Sequence, residues 1–356
     1  MLVGRKGSYG KVTFSEIPSF AIDTTYFIDR RSTNQHLRWL FYVLECLGLD
    51  SYSEDSAIPG LAREYVHGRG IPVPPEDEQL CLAEFLDRET AKIDALMAKK
   101  ERLVELLLEK RTALVTASMS GGVAAASPMK LTPFEWLEQI PGHWALERLK
   151  WSLTAVEQGW SPLCETRPAS IEEWGVLKVG CVNGTSFIAD ENKALPSEIE
   201  PSWEFEIKDG DLLMSRANTR ELLGSIALVS HVRPRLLLCD KLYRLRVRDE
   251  KVRRVFLVLA LRSAASRFQM EREANGASGS LQNIAQETIR NIWIAVPPVS
   301  EQDLIVAELH SRFTEIDRLI SKTREAIERL REYRTALISA AVTGKIDVRG
   351  EVERSG

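Results

Sequence analysis

The sequence is poor in everything that would staple, anchor or export it. Among 356 residues there are only five cysteines, Cys46, Cys81, Cys164, Cys181 and Cys239, and no C-x-x-C pair. An odd, scattered set excludes a disulfide scaffold and a zinc knuckle and points to a reducing compartment. No apolar run approaches the ~18 residues of a membrane-spanning helix. The start, Met-Leu-Val-Gly-Arg-Lys-Gly, has no apolar h-region of a signal peptide. A cytoplasmic, membrane-free chain is expected. There is no excess of positive charge either. Lys and Arg number 47 against 51 Asp and Glu, a net charge of -4. This excludes a uniformly basic nucleic-acid coat but permits a local basic face.

Catalytic constellations are also missing. His36, His67, His143, His231 and His310 stand apart with no ligand spacing. Gly4-x-x-Gly7-x-x-Gly10-Lys11 resembles a phosphate loop, yet the P-loop pattern requires Gly-x4-Gly-Lys-Ser/Thr, and Val12 cannot bind magnesium. No Asn-Pro-Pro-aromatic tetrapeptide of amino-methyltransferases occurs. Glu191-Asn-Lys193 has no matching Asp ahead of it, so a nuclease site is not expected. The chain reads as a binder and scaffold, without catalytic residues, metal ligands or a cofactor of its own.

What is present is a repeat. With an offset of 223, Pro74–Gly121 aligns with Pro297–Gly344 without a gap, and about 18 of 48 positions are identical. Pro74-Pro75 matches Pro297-Pro298, Glu78-Gln79 matches Glu301-Gln302, and Arg111-Thr112-Ala113-Leu114 matches Arg334-Thr335-Ala336-Leu337. Upstream, Leu2–Arg5 resembles Leu213–Arg216, Gly10-Lys11-Val12 resembles Gly224-Ser225-Ile226, and Asp23–Tyr26 resembles Asp240–Tyr243. The second copy continues back to Thr132, so the first copy corresponds only to the back half of the second.

Each Pro-Pro opens a long helix of about 40 residues, roughly 60 Å, with Asp77 or Ser300 as plausible N-caps. Apolar residues then recur with a seven-residue period. The predicted seam is Leu86, Ile93, Met97, Val104, Leu107 and Leu114 in one helix. In the other it is Leu309, Phe313, Ile316, Ile320, Ile327, Leu330 and Leu337. Gly121-Gly122 and Gly344 mark the ends. Arg111 and Arg334 interrupt both seams at the same place, a charge that is costly unless paired or snorkelling; it fixes the register, meets a partner protein, or lies where the seam frays into solvent.

Between the helices lies a mixed α/β stretch. Strands are predicted at 175–179, 211–214, 224–229, 241–245 and 293–296, and a helix over 252–270 with its counterpart at 37–47. Charge is uneven. Glu165–Asp209 holds 4 basic and 10 acidic residues, whereas Asp211–Arg272 holds 14 basic and 6 acidic. Such a patch can track phosphates. Arg253, Arg254, Arg262 and Arg267 are expected on one helix, where a solvated face is the simpler account.

A duplicated globular domain, each copy followed by a long helix, resembles the specificity subunit of type I restriction–modification systems. The likeness is carried by Ile140-Pro141-Gly142-His143-Trp144, Gly210-Asp211-Leu212-Leu213 with Gly224, Ile294–Pro298 with Glu301-Gln302, Tyr333–Ile338 and Thr343-Gly344-Lys345. It implies α/β (mixed α+β) target-recognition domains joined by two long antiparallel coiled-coil helices, with an internal pseudo-twofold repeat. The implied organisation is a partial first recognition domain at 1–73, a long helix at 74–122, a linker at 123–131, a complete recognition domain at 132–296, a second helix at 297–345 and a tail at 346–356. The partners implied are double-stranded DNA with a bipartite target, two methyltransferase subunits and restriction motor-nuclease subunits. S-adenosylmethionine, ATP and magnesium would sit on those partners. The shortened first domain implies impaired reading of the first half-site; a mis-assigned start, a truncated gene and a split gene all remain open. A coiled-coil adaptor or inhibitory partial subunit that binds protein rather than DNA is the alternative. Within the DNA reading, side chains suited to phosphates and base edges are Lys178, Asn183, Arg216, Asn218, Arg220, Lys241, Asn275, Ser278, Ser280, Gln282 and Asn283. The run Arg216-Ala217-Asn218-Thr219-Arg220 leads this group.

Overall fold

A computed structural model describes residues 1–17, 19–50, 60–122, 127–184, 186–274 and 282–352. The chain divides into two compact units, Met1–Leu106 with Arg318–Gly356, and Leu107–Asp317.

In the first unit, β1 (Leu2–Gly4), β2 (Val12–Thr13) and β3 (Thr25–Phe27) form an antiparallel sheet ordered β2-β1-β3. The β1–β2 turn depends on Gly10, whose φ is +75° and whose Cβ, if it had one, would lie 2.3 Å from the Asp50 nitrogen. Helix α1 (Leu37–Cys46) buries Trp39 and Tyr42, and α2 (Arg63–His67) follows. Then comes α3 (Glu76–Gly121), whose portion in this unit packs Leu82, Phe85 and Leu86 into the same core. Tyr42 Oη donates to Asp87 Oδ1 at 2.6 Å, tying α1 to α3.

The second unit holds β4 (Met129–Phe134), β5 (Leu137–Pro141), β6 (Ala145–Arg148), β7 (Leu153–Gln158), β8 (Gly175–Leu177), β9 (Asn192–Ala194), β10 (Leu212–Ser215), β11 (Ala217–Asn218), β12 (Ile226–Leu228), β13 (Leu236–Leu237) and β14 (Leu242–Val247). After them come α4 (Arg254–Arg262), α5 (Ala264–Arg272), β15 (Gln282–Asn283), α6 (Gln286–Asn291), β16 (Trp293–Val296) and the start of α7 (Val299–Val342). α7 ends in the first unit, followed there by α8 (Arg349–Val352). The central sheet is ordered β12-β10-β14-β7. Because strand side chains alternate, Leu212 and Met214 enter a core with Phe256 and Leu257, while Leu213 enters another with Val176, Cys181 and Leu237. The sheet therefore separates two cores, and the second is roofed by β13-β8-β9.

The long helices run past each other in opposite directions in both units. In the first, Arg334 pairs with Asp94 at 3.1 Å and Arg331 with Glu101 at 3.4 Å. In the second, Arg111 pairs with Asp317 and lies over Phe313 at 4.4 Å. Leu86, Ile93, Leu107, Leu309, Ile316, Ile320 and Ile327 are buried. Met97, Val104, Leu114, Phe313, Leu330 and Leu337 are half-buried, with exposed charged residues between them. Both seam arginines are paired, not frayed.

Several expectations need correcting. Asp77 and Ser300 lie inside the first helical turns; the carbonyls of Pro75 and Pro298 start the ladders, accepting from Gln79 N at 2.9 Å and Gln302 N at 3.0 Å. The helices accordingly start two residues inside the expected 74 and 297. The helix expected over 252–270 is two, because Ser263 is extended (φ -63°, ψ 155°) and caps α5. Arg253, Arg254, Arg262 and Arg267 therefore do not share one helix.

Hydrogen bonds recur at positions matched by the sequence repeat. Tyr26 Oη donates to the Leu61 carbonyl and Tyr243 Oη to that of Ile284, each at 3.1 Å. Gln79 Oε1 accepts from His36 N at 2.8 Å, and Gln302 Oε1 from Arg253 N at 2.7 Å.

Candidate nucleic-acid interface

Most of the basic stretch at 211–272 is engaged inside the fold. Arg244 is 4% exposed. Its Nε meets Glu157 at 2.6 Å, and one Nη meets Asp211 at 3.3 Å while donating to the Glu206 carbonyl. Arg246 pairs with the same two carboxylates. Burial pushes the Glu157 carboxyl up, but the Arg246 and Arg244 bonds together hold it below its usual range. Arg253 pairs with Asp303 and Arg254 with Asp249. Arg262 donates to the Ile226 carbonyl, and Arg267 to that of Leu223. Chain-wide charge counting thus overstates the basic face.

The charges left facing outward gather at one edge. Lys178, Lys193 and Lys241 line a cleft of about 510 Å³ with Ser161, Cys164 and Asp240. Lys193 was not among the DNA-contact candidates read from sequence; only its place on β9, beside β8, brings it there. Lys178 Nζ is 3.1 Å from Glu191 Oε2, and Lys241 is exposed. Arg216 follows β10 directly. Its backbone N–H donates to the Lys241 carbonyl at 2.8 Å, and its guanidinium to the Asp240 carbonyl at 3.4 Å. Arg220 is exposed and has no ion-pair partner among the described residues.

β11 and β15 brace this edge. Ala217 opposes Asn283 and Asn218 opposes Gln282, so residues 66 and 64 apart in sequence come together. Asn218 is buried. Its Nδ2 donates to Asn183 Oδ1 at 2.8 Å and its Oδ1 accepts from Thr219 N at 2.9 Å, so its amide holds the loop. Gln282 Oε1 is buried without a hydrogen-bond partner among the described residues, which is costly for an amide oxygen. Asn275, Ser278 and Ser280 lie outside the described residues. Among the described residues no group of three His, Cys, Asp or Glu could hold a metal ion, and no helix is long and apolar enough to cross a membrane.

A family model described as type I restriction modification DNA specificity domain matches residues 178–329. The type I restriction enzyme EcoEI specificity subunit of Escherichia coli is 30% identical over 211 residues, 59% of this chain and 35% of that one. The EcoKI specificity subunit of Escherichia coli strain K12 is 25% identical over 291 residues, 80% of this chain and 59% of that one. This chain thus spans from about a third to three fifths of their lengths. A solved structure from work on assembly and conformational transition of the type I R-M system is similar in fold, with a TM-score of 0.56 and 20% identity over 90% of this chain and 74% of that one. The matched segment contains the three cleft lysines, the Arg216–Arg220 loop and the β11–β15 brace, while Ser161 and Cys164 of the cleft precede it. Over residues 178–329 the chain is similar to the family of type I restriction modification DNA specificity domains.

Proposed function

We propose that this chain is the non-catalytic DNA-recognition subunit of a type I restriction–modification complex. The second unit reads one half of a bipartite target with the Arg216–Arg220 loop and the cleft of Lys178, Lys193 and Lys241. The observation that carries this reading is the coincidence of the specificity-domain match with the edge where Lys193 and Lys241, exposed and without an ion pair among the described residues, line the cleft beside Lys178. Lysines there neutralise phosphates, while Arg216, Arg220 and Gln282 suit base edges; a bidentate contact discriminates by about 1–3 kcal/mol.

In this reading α3 and α7 form an antiparallel coiled coil around an internal pseudo-twofold repeat, with recognition domains at 1–73 and 132–296. The helices space the half-sites and dock two methyltransferase subunits. Methyl transfer with S-adenosylmethionine and cleavage with ATP and magnesium belong to methyltransferase and motor-nuclease subunits. The experiment is DNA binding across a salt series, using the chain with a type I methyltransferase subunit. Replacing Arg216 and Arg220 with Ala should weaken binding and reduce the log–log salt slope by about 1–2. An unchanged affinity and slope would remove this loop from the interface, and binding of protein but no DNA would favour an adaptor.

A further inference from the structure

The cleft of Lys178, Lys193 and Lys241 has one lining side chain that is neither basic nor polar and yet stands in the open. Leu163 is 85% exposed, whereas Val176, Leu177 and Cys239 of the same cleft are buried. A single exposed leucine is ordinary on a protein surface. What sets Leu163 apart is how its loop is held.

The chain leaves β7 at Gly159, where a Cβ would lie 2.1 Å from the Leu238 carbonyl oxygen, so the loop starts pressed against that backbone. Trp160 N donates to the Leu238 carbonyl and Glu165 N to that of Ala194, each at 3.0 Å. Between them Ser161 Oγ donates to Asp240 Oδ1 and accepts from Asp240 N at 3.2 Å. Pro162 then fixes its own φ directly before Leu163. The carbonyl of Asp240 also accepts from the Arg216 guanidinium at 3.4 Å. One residue therefore positions both the leucine loop and the leading arginine of the Arg216–Arg220 run.

We propose that Leu163 is a specificity-determining contact, pressing its side chain against the bases of a duplex whose phosphates the three lysines hold. This rests on the reading of the cleft as the DNA-facing edge. Contacts to phosphate position a duplex without reading its sequence. Leucine cannot bond a phosphate, and the apolar surface that DNA offers it is the thymine methyl in the major groove or the face of a base pair at an opened step. Because the loop is already pinned, little freedom is lost when that contact forms.

The test takes the full chain with a type I methyltransferase subunit, unchanged or with Leu163→Ala, through random-oligonucleotide selection, and titrates the enriched duplex across a salt series. Leu163→Ala, at a side chain with little packing to lose, should erase the preference at one or two adjacent base pairs and keep the rest. It should weaken binding to the original duplex about tenfold. The log–log salt slope should not change, since an apolar contact releases no counterions. Lys193→Ala should do the reverse, lowering the slope by about 1 with the preferred sequence intact. Uracil in place of thymine at the erased positions identifies a methyl contact by binding about fourfold weaker to the unchanged chain. A rise in 2-aminopurine fluorescence at that step, absent with Leu163→Ala, identifies insertion between bases. Either response supports the proposal and a response to neither would overturn it. An unchanged preference and affinity in Leu163→Ala would overturn it while leaving the DNA reading in place. Enrichment of no sequence by the unchanged chain would overturn both.

Discussion

Arg244 shows how a single residue can invert a reading of charge. It is a cation in the most basic stretch of the chain, yet its guanidinium lies within the fold between Glu157, Asp211 and the carbonyls of Glu204 and Glu206. Arg244→Ala leaves Asp211, itself 7% exposed, without this partner. A cost of about 3–5 kcal/mol is expected, read as a lower urea midpoint, whereas Arg220→Ala should leave the midpoint unchanged. The thiols make a second contrast. Burial pushes Cys239 up to about 12 and Cys181 higher still, whereas Cys46 and Cys81 are only half-buried. Since the thiolate is the nucleophile, iodoacetamide at pH 8 should label Cys46 and Cys81 well ahead of Cys181 and Cys239, and all five in urea. Mass spectrometry of the peptides checks this; early labelling of Cys181 would contradict the packing of that core.

Among the elements, the long helices depend on how they begin. Gln79 and Gln302 are both buried. Each side-chain amide donates to the first proline of its Pro-Pro pair, at 2.9 Å in both, and accepts from the backbone N–H just ahead of an earlier helix, His36 before α1 and Arg253 before α4. One side chain thus satisfies groups that would otherwise be buried unpaired. Gln302→Ala should cost about 1–3 kcal/mol, and Gln79→Ala a similar amount. Thermal melting with far-UV circular dichroism measures both, and a change in only one would show that the two helix starts are not equivalent. At the other ends, Gly122 (φ +67°) and Gly344 (φ +70°) adopt the left-handed conformation that stops a helix.

At the scale of the whole molecule, the two units are unequal. The second has its central sheet enclosed between two cores, whereas the first has, among the described residues, one core and a strand β3 paired on one side only. Sequence reading by the proposed complex should therefore be lopsided. Random-oligonucleotide selection with a methyltransferase subunit present should return one half-site, or a symmetric pair read by two copies of the second unit. Two different half-sites would mean that residues 1–73 read DNA in spite of that edge. Without its methyltransferase, the chain should transfer no methyl groups to adenine; activity from the chain alone would end the scaffold reading.

The long helices and their stops were legible in the sequence because Pro-Pro pairs and glycines are local signals. Leu86, Ile93, Ile316 and Ile327 are buried where the period put them. The break at Ser263 was not legible, since apolar spacing continues across it and only the fold gives the serine its capping position. Tertiary structure alone decided which cations face solvent. Arg244 and Arg220 look alike in sequence, but a buried guanidinium needs carboxylates, and Glu157 and Asp211 reach Arg244 only through strands far apart in the chain. For the same reason Lys193 joins Lys178 and Lys241 only once β8 and β9 pair. Periodicity and composition fix what a segment can become; which side chains meet depends on contacts between distant segments, and those form only when the core closes.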